Sequence, residues 1–257
     1  MNGLGAEKAI LLLAGRGRRL GSLTDSRPKC LIPVGGRAIL ARSLAALAAS
    51  GVREAVLVLG YRAELVREAV GRSSTGSMEI HYVVNERYEY TNTAYSLWLA
   101  RVHFDDAVML VEGDIVFGAG LVRRLSETAG PHSSWAAVPV GPSRDEGILL
   151  EELEEGRVGR VVRVTDPASR PAYLTWKCGG LQLLAAPLAA AMVRGLDEEV
   201  RGGGERTFAD LVLGRHAPDH VVRICPVEAE RWAEIDDTAD LVRARATFST
   251  EEGVQSA

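Results

Sequence analysis

Short apolar runs alternate with helical patterns between Lys8 and Asp114, and this alternation constrains the fold most. "KAILLLAG" (Lys8 to Gly15) is short, continuous and ended by glycine, which predicts a buried strand. "ILARSLAALAASG" (Ile39 to Gly51) predicts a helix with a glycine stop. "EAVLVLG" (Glu54 to Gly60), "MEIHYVVN" (Met78 to Asn85) and "AVMLVEGD" (Ala107 to Asp114) predict three more strands, the last entering an acidic turn. "AELVREAVG" (Ala63 to Gly71) and "NTAYSLWLAR" (Asn92 to Arg101) predict the helices between them. Strands buried on both faces read as unbroken apolar runs. The rhythm therefore predicts an α/β fold: a Rossmann-like mixed, mostly parallel sheet with helices on both faces.

After about Ser133 the rhythm changes. "WAAVPV", "GILLEEL" and "RVGRVVRVTD" read as strands joined by glycine-containing turns. Helices are predicted over Pro187 to Leu196 and Arg206 to Gly214, and a late strand over His220 to Val227. A closing helix runs from Asp237 to Thr247, capped by Asp236 or Asp237. Residues 248–257 read as a frayed tail. No internal repeat or long linker is visible, so residues 1–247 are expected to form one domain.

Bulk properties exclude several classes. The net charge of −4 leaves no broad basic surface for nucleic acid. No stretch approaches the ~18 uncharged apolar residues of a membrane span. The N-terminus lacks a charged segment followed by an apolar one, so export is not expected. Cys30, Cys178 and Cys225 are far apart and odd in number, which argues against a zinc site or a disulfide framework. A reduced, cytoplasmic setting fits them.

The loop after the first strand, "AGRGRRLGSLTDSRPK", carries Gly15, Gly17 and Gly21 among Arg16, Arg18, Arg19, Arg27 and Lys29, with Asp25 as its one acid. Glycines let a backbone approach an anion, and this density of positive charge suits a polyphosphate. A dinucleotide loop fails because Leu20 stands where the last glycine belongs, and a Walker A loop fails on spacing. By its glycines alone, the loop could equally be a solvated basic turn.

The longer stretch "LLLAGRGRRLGSLTDSRPKCLIPVGGRAIL" resembles the signature loop of nucleotidyltransferases that act on sugar phosphates and related small phosphates. Leu12, Ala14, Gly15, Gly17, Arg19, Leu20, Pro28, Lys29, Leu31, Pro33, Val34, Gly36 and Leu40 match it; Leu13 and Ala38 depart from it, and neither departure removes a charge. The resemblance implies the GT-A-like nucleotidyltransferase type of the fold. Residues 8–132 would form the nucleotide-binding half, and 133–247 the half that binds the acceptor and completes the metal site. Leu13, Ala14, Gly15, Gly17 and Arg18 would line the nucleotide. Arg19 would stabilise departing pyrophosphate, and Lys29 would bridge the α-phosphate and the incoming phosphate. Phosphoryl transfer rests mainly on positioning and charge neutralisation, which explains the cations.

Two acidic pairs are candidate counterparts. Glu112 and Asp114 lie two residues apart at a strand's end, and Glu234 and Asp236 lie two apart before the final helix. Each could be an ordinary turn residue or helix cap. The family pattern implies that Asp114 and Asp236 hold Mg²⁺, a cation that takes hard oxygen ligands, while Glu112 belongs with the nucleotide.

"VVNERYEYTNTAYSLWLAR" (Val83 to Arg101) is similar to a segment of the CTP:phosphocholine cytidylyltransferase group, whose wider membership activates other small phosphates and phosphonates. The resemblance implies CTP as donor, with Asn85, Asn92 and Ser96 near the nucleotide. Asn85 could read a base edge through its amide; alternatively the segment is an N-cap and a packed amphipathic helix. Choline would need an aromatic cage, for which Trp135, Tyr173, Trp176 and Trp232 are candidates. The group's tryptophan after the acid is replaced here by Gly147, and Lys177 favours an anionic acceptor. Lys177, Asp210 and Glu234 are the acceptor-site candidates. The expected activity is Mg²⁺-dependent transfer of CMP from CTP to a small phosphate or phosphonate. A sugar-1-phosphate nucleotidyltransferase using UTP, dTTP or GTP and a non-catalytic nucleotide-binding subunit are the alternatives. Neither nucleic acid nor membrane is expected as a partner, and a homodimer is left open.

Overall fold

The structure is a computed structural model, which describes residues 5–72, 78–141, 146–227 and 232–249. The first half supplies β1 (Lys8–Leu12), a short hairpin of β2 (Pro33–Val34) and β3 (Arg37–Ala38), β4 (Glu54–Leu59), β5 (Glu79–Val84) and β6 (Val108–Glu112). Helices α1 (Ile39–Ala48), α2 (Ala63–Gly71) and α3 (Thr93–Leu99) connect them. β1 pairs in parallel with β4 and β6, and Ile10 faces Val56 on one side and Leu110 on the other. Ile10, Val56 and Leu110 pack into one apolar cluster; Leu11, Leu57 and Val111 pack into a second. Each strand is thus buried on both faces, which is why its sequence shows no polar alternation.

The second half contains β7 (Ile115–Phe117), α4 (Ala119–Ala129), β8 (Ser133–Pro139), β9 (Gly147–Leu153), β10 (Arg157–Val164), β11 (Leu174–Leu184), α5 (Ala186–Arg201), α6 (Ala209–His216), β12 (Val222–Pro226), β13 (Trp232–Glu234) and α7 (Thr238–Thr247). One nine-stranded sheet takes strands from both halves in the order β5-β4-β1-β6-β11-β8-β12-β10-β9. Its first four strands are parallel, as the sequence predicts. Beyond β6 the sheet is mixed, because β11 enters antiparallel to both β6 and β8. β9 also pairs with β11, so the β9–β10 hairpin curls back over the sheet.

Three features differ from the sequence expectation. α4, whose apolar face is Leu121, Val122, Leu125 and Ala129, was not anticipated. Nor was the two-stranded ribbon of β7 and β13, in which Glu234 faces Ile115 and Trp232 faces Phe117. Finally, Phe248 is no part of a frayed tail: it is 3 % exposed and packs with Leu241, Ala244 and Ile39. Apolar burial holds it, and the Arg42 guanidinium lies 5.5 Å from its ring centroid. The remaining tail, 250–257, lies outside the described residues. No helix among the described residues is long and apolar enough to cross a membrane.

Candidate active site

The glycine–arginine loop leaves the end of β1 and closes into short 3₁₀ turns. Gly17 begins the first with a φ of 72°, a left-handed conformation that costs a side chain dearly. A Cβ there would also stand 3.0 Å from the Lys29 Cβ. The glycine therefore lets Lys29 pass directly beneath the loop. Thr24 braces the turn, donating its hydroxyl to the carbonyls of Gly17 and Gly21, each at 3.1 Å.

Lys29 reaches the acidic end of β6. Its ammonium donates to Asp114 Oδ2 and to Asp236 Oδ1, both at 3.1 Å. The β7–β13 ribbon brings these distant carboxylates together, and the Ile235 N–H donates to the Asp114 carbonyl at 2.9 Å. Arg19 adds a second cation, 2.8 Å from Asp236 Oδ1. Burial pulls the Lys29 pKa down, but Asp114 and Asp236 more than offset it, so the ammonium stays charged. Burial likewise works against ionised Asp236, yet Lys29 and Arg19 hold its pKa below the usual carboxylate value. Asp236 is free for this role because Asp237 is the cap of α7, in a reciprocal capping box with Asp240.

Of the cavities that border this cluster, two have Asp114 in their walls. One, of about 200 Å³, is lined by Leu13, Gly15, Gly17 and Lys29. The other, of about 370 Å³, is lined by Glu112, Lys177, Glu234 and Arg163. Arg19, Asp114 and Asp236 belong to both walls. Lys177 and Glu234 form an ion pair at 2.5 Å. Burial opposes the Lys177 charge, and Glu234 more than restores it. Gly147 has a φ of 105°, and a Cβ there would lie 3.3 Å from Lys177 Cε. Lys177 thus occupies the space into which a larger residue at 147 would grow.

Several candidate residues sit elsewhere than the sequence suggests. Asn85 is 1 % exposed, and its amide hydrogens go to Thr91 Oγ1 at 3.0 Å and Ser96 Oγ at 2.9 Å. Its carbonyl accepts from the Arg87 N–H at 2.9 Å. Both donors are spent inside the protein, so Asn85 and Ser96 shape the β5–α3 turn rather than read a base. Asn92 caps α3, accepting from the Thr93 N–H at 2.8 Å. Ala14 is buried, with its carbonyl accepting from the Tyr61 N–H at 3.0 Å. Arg18 points outward, 3.8 Å from Glu89.

Glu112, the β6 register partner of Leu12, lies on the wall of the larger cavity. Asp210 is 4 % exposed and stands behind that wall, accepting from Gln182 Nε2 at 2.9 Å. Burial, and then Asp210 beside it, push the Glu112 carboxyl well above the usual carboxylate range. Asp210 is therefore a support for the wall and not an acceptor contact. Arg163 and Phe208, also on this wall, have no local sequence signal: "RVGRVVRV" marks a strand but not a cavity.

Among the described residues, no three or more histidine, cysteine or acidic side chains converge as a metal cluster. Asp114 and Asp236 are the two carboxylates that share the Lys29 ammonium.

Comparison with known proteins agrees with this architecture. The model of the MobA-like NTP transferase domain matches residues 9–203. The CMP-5'-(3-aminopropyl)phosphonate synthase of Streptomyces rubellomurinus is 35% identical over an alignment of 252 residues that covers 94% of this chain but 39% of that protein. This chain thus spans well under half of that relative's length. The 2-aminoethylphosphonate cytidylyltransferase of Lancefieldella rimae is 28% identical over 245 residues, covering 94% of each. Among solved structures, the CTP:phosphocholine cytidylyltransferase of Streptococcus pneumoniae superposes with a TM-score of 0.74 at 19% identity, over 93% of this chain and 97% of that one. The inositol-1-phosphate CTP transferase of T. maritima gives 0.74 at 21%, over 99% and 100%. Both structures share the fold. The chain belongs to the MobA-like NTP transferase domain family.

Proposed function

We propose that this chain transfers CMP from CTP to a phosphonate oxygen of a small acceptor and releases pyrophosphate. The observation that carries this reading is the Lys29 ammonium, bound to Asp114 and Asp236 where two cavities meet. The smaller cavity, under the glycine loop, takes the triphosphate. The larger takes the acceptor. The relatives named for phosphonate cytidylyl transfer support the choice of donor and acceptor class.

An acceptor oxygen attacks the α-phosphorus in line. A phosphorus–oxygen bond forms on that side, and the bond to the bridging oxygen breaks with its electron pair leaving on pyrophosphate. Phosphonate is already anionic at neutral pH, so no general base is required. Lys29 lines the smaller cavity, beside the carboxylates common to both, and neutralises oxygens that gain charge in the transition state, and Arg19 does so for the leaving group. Asp114 Oδ1 is buried and, among the described residues, has no hydrogen-bond partner, as a metal-facing oxygen would be. Asp114 and Asp236 would hold Mg²⁺, which when bound supplies further neutralisation of phosphate oxygens. In this reading the enzyme works in the cytoplasm, and all three cysteines are free thiols.

Pyrophosphate release with CTP, UTP, dTTP and GTP, each against alkylphosphonates and sugar 1-phosphates, tests the assignment. Release with CTP and a phosphonate is the expected result. Release only with a sugar 1-phosphate, or nucleotide binding without release from any pair, overturns it.

A further inference from the structure

The ionised groups around the larger cavity are mostly paired with one another. Lys177 is bound to Glu234, and Arg19 to Asp236. Arg163 differs. It lines the cavity, and among the described residues no carboxylate lies within ion-pair distance of its guanidinium. Its contact is instead with Phe208, whose ring centroid lies 4.5 Å away and which lines the same cavity.

The fold places this cation on a strand that does not pair with β6 or β11. On β10, Arg163 faces Ile148 of β9. β9 in turn pairs with β11, where Leu149 faces Lys177, and β11 pairs with β6, which ends beside Asp114. Along this path two strands, β9 and β11, stand between β10 and β6. A guanidinium stacked on a ring is oriented while its in-plane N–H groups stay available, and their fork matches the two oxygens of a carboxylate. The same stacking covers a face of Phe208 with positive charge. An aromatic face so covered cannot serve a cationic ligand.

We propose that Arg163 reads a carboxylate carried by the acceptor at the end away from the oxygen that attacks phosphorus. This rests on the assignment of the larger cavity to a phosphonate acceptor. The acceptor is then a phosphonate with a second, carboxylate terminus, and Arg163 sets the enzyme's preference for it.

The test compares two acceptors of matched length, propylphosphonate and 3-phosphonopropionate, by pyrophosphate release with CTP and Mg²⁺. The kcat/KM of the wild type is expected to favour 3-phosphonopropionate by at least about tenfold, the scale of one charge-assisted hydrogen bond. The difference lies mainly in KM, because the carboxylate is held alike in ground and transition states. In Arg163→Gln that ratio falls to within about threefold of one. Arg163→Lys, which keeps the charge but loses the fork, gives an intermediate ratio. Equal kcat/KM for the two acceptors in the wild type, or an unchanged ratio in Arg163→Gln, overturns the assignment of Arg163 and leaves phosphonate cytidylyl transfer standing. Turnover of neither phosphonate, with turnover of a sugar 1-phosphate, overturns both.

Discussion

Asp114 and Asp236 meet across a two-stranded ribbon and share one ammonium. Each presents a carboxylate oxygen 3.1 Å from Lys29 Nζ, and beside them the Ile235 N–H donates to the Asp114 carbonyl at 2.9 Å. Three charges drawn from three remote segments form one centre between two cavities.

Removing the shared cation should abolish most of the chemistry. Lys29→Ala is expected to reduce turnover by at least ~10²-fold, the scale of losing one transition-state charge partner. Circular dichroism checks that the variant remains folded. Near-normal pyrophosphate release would remove Lys29 from the mechanism.

Asp236→Ala should lower turnover by a similar ~10²-fold. It should also raise the Mg²⁺ concentration needed for half-maximal rate, because one of two carboxylates is lost. A magnesium titration of the rate separates this from a purely structural defect. An unchanged magnesium midpoint would argue that Asp236 is not a ligand.

The ribbon itself can be weakened. Trp232 is 6 % exposed, and its indole N–H donates to the Gly179 carbonyl at 2.8 Å. Trp232→Ala is expected to cost about 3 kcal/mol, the lower range for such a truncation, and to reduce turnover because β13 positions Asp236. Denaturant unfolding with parallel rate measurements reads both. Loss of stability with full specific activity in the folded fraction would break the link between ribbon and site.

Stability should also depend on His103. Burial, then His81 and Lys8 beside it, hold the folded-state pKa of His103 below 6.5. The unfolded chain therefore takes up the proton first as pH falls. The contribution is complete above pH ~6.5 and declines from there toward the lower folded value, below which it changes no further. The stability advantage of the wild type over His103→Gln should shrink as pH drops through that window. Urea unfolding of both proteins between pH 5 and 8 measures it, and a constant difference would refute it.

Burial pushes the Cys30 thiol up to about 12, and Cys30, Cys178 and Cys225 are all buried. Thiolate is the reacting form, so a disulfide reagent at pH 8 should label native protein slowly and denatured protein at all 3 cysteines. Rapid labelling of the native form would contradict this packing.

The parallel half of the fold was legible because each strand is buried on both faces and each helix shows its own period. Ile10 and Leu11 feed opposite clusters, and the apolar run of β1 records both. Lys29 and Asp114 could be picked out because their surroundings form one long pattern. The ribbon was not legible, since strands of three residues are too short to show a period. Asn85 misled for a different reason. A buried amide and a base-reading amide look alike in sequence, and only the partners Thr91 and Ser96 distinguish them. Arg163 and Phe208 were not legible either, because β10 and the turn before α6 are distant in sequence and only the fold brings them together on the cavity wall that Lys177 also lines.

The ribbon also sets the order in which function can emerge during synthesis. A nascent chain that has reached β12 already contains every strand of the nine-stranded sheet, together with the glycine loop, Lys29 and Asp114. It still lacks β13 and Asp236. The ammonium of Lys29 then has one carboxylate instead of two, and in the proposed reaction turnover must wait for β13 to close the ribbon on β7.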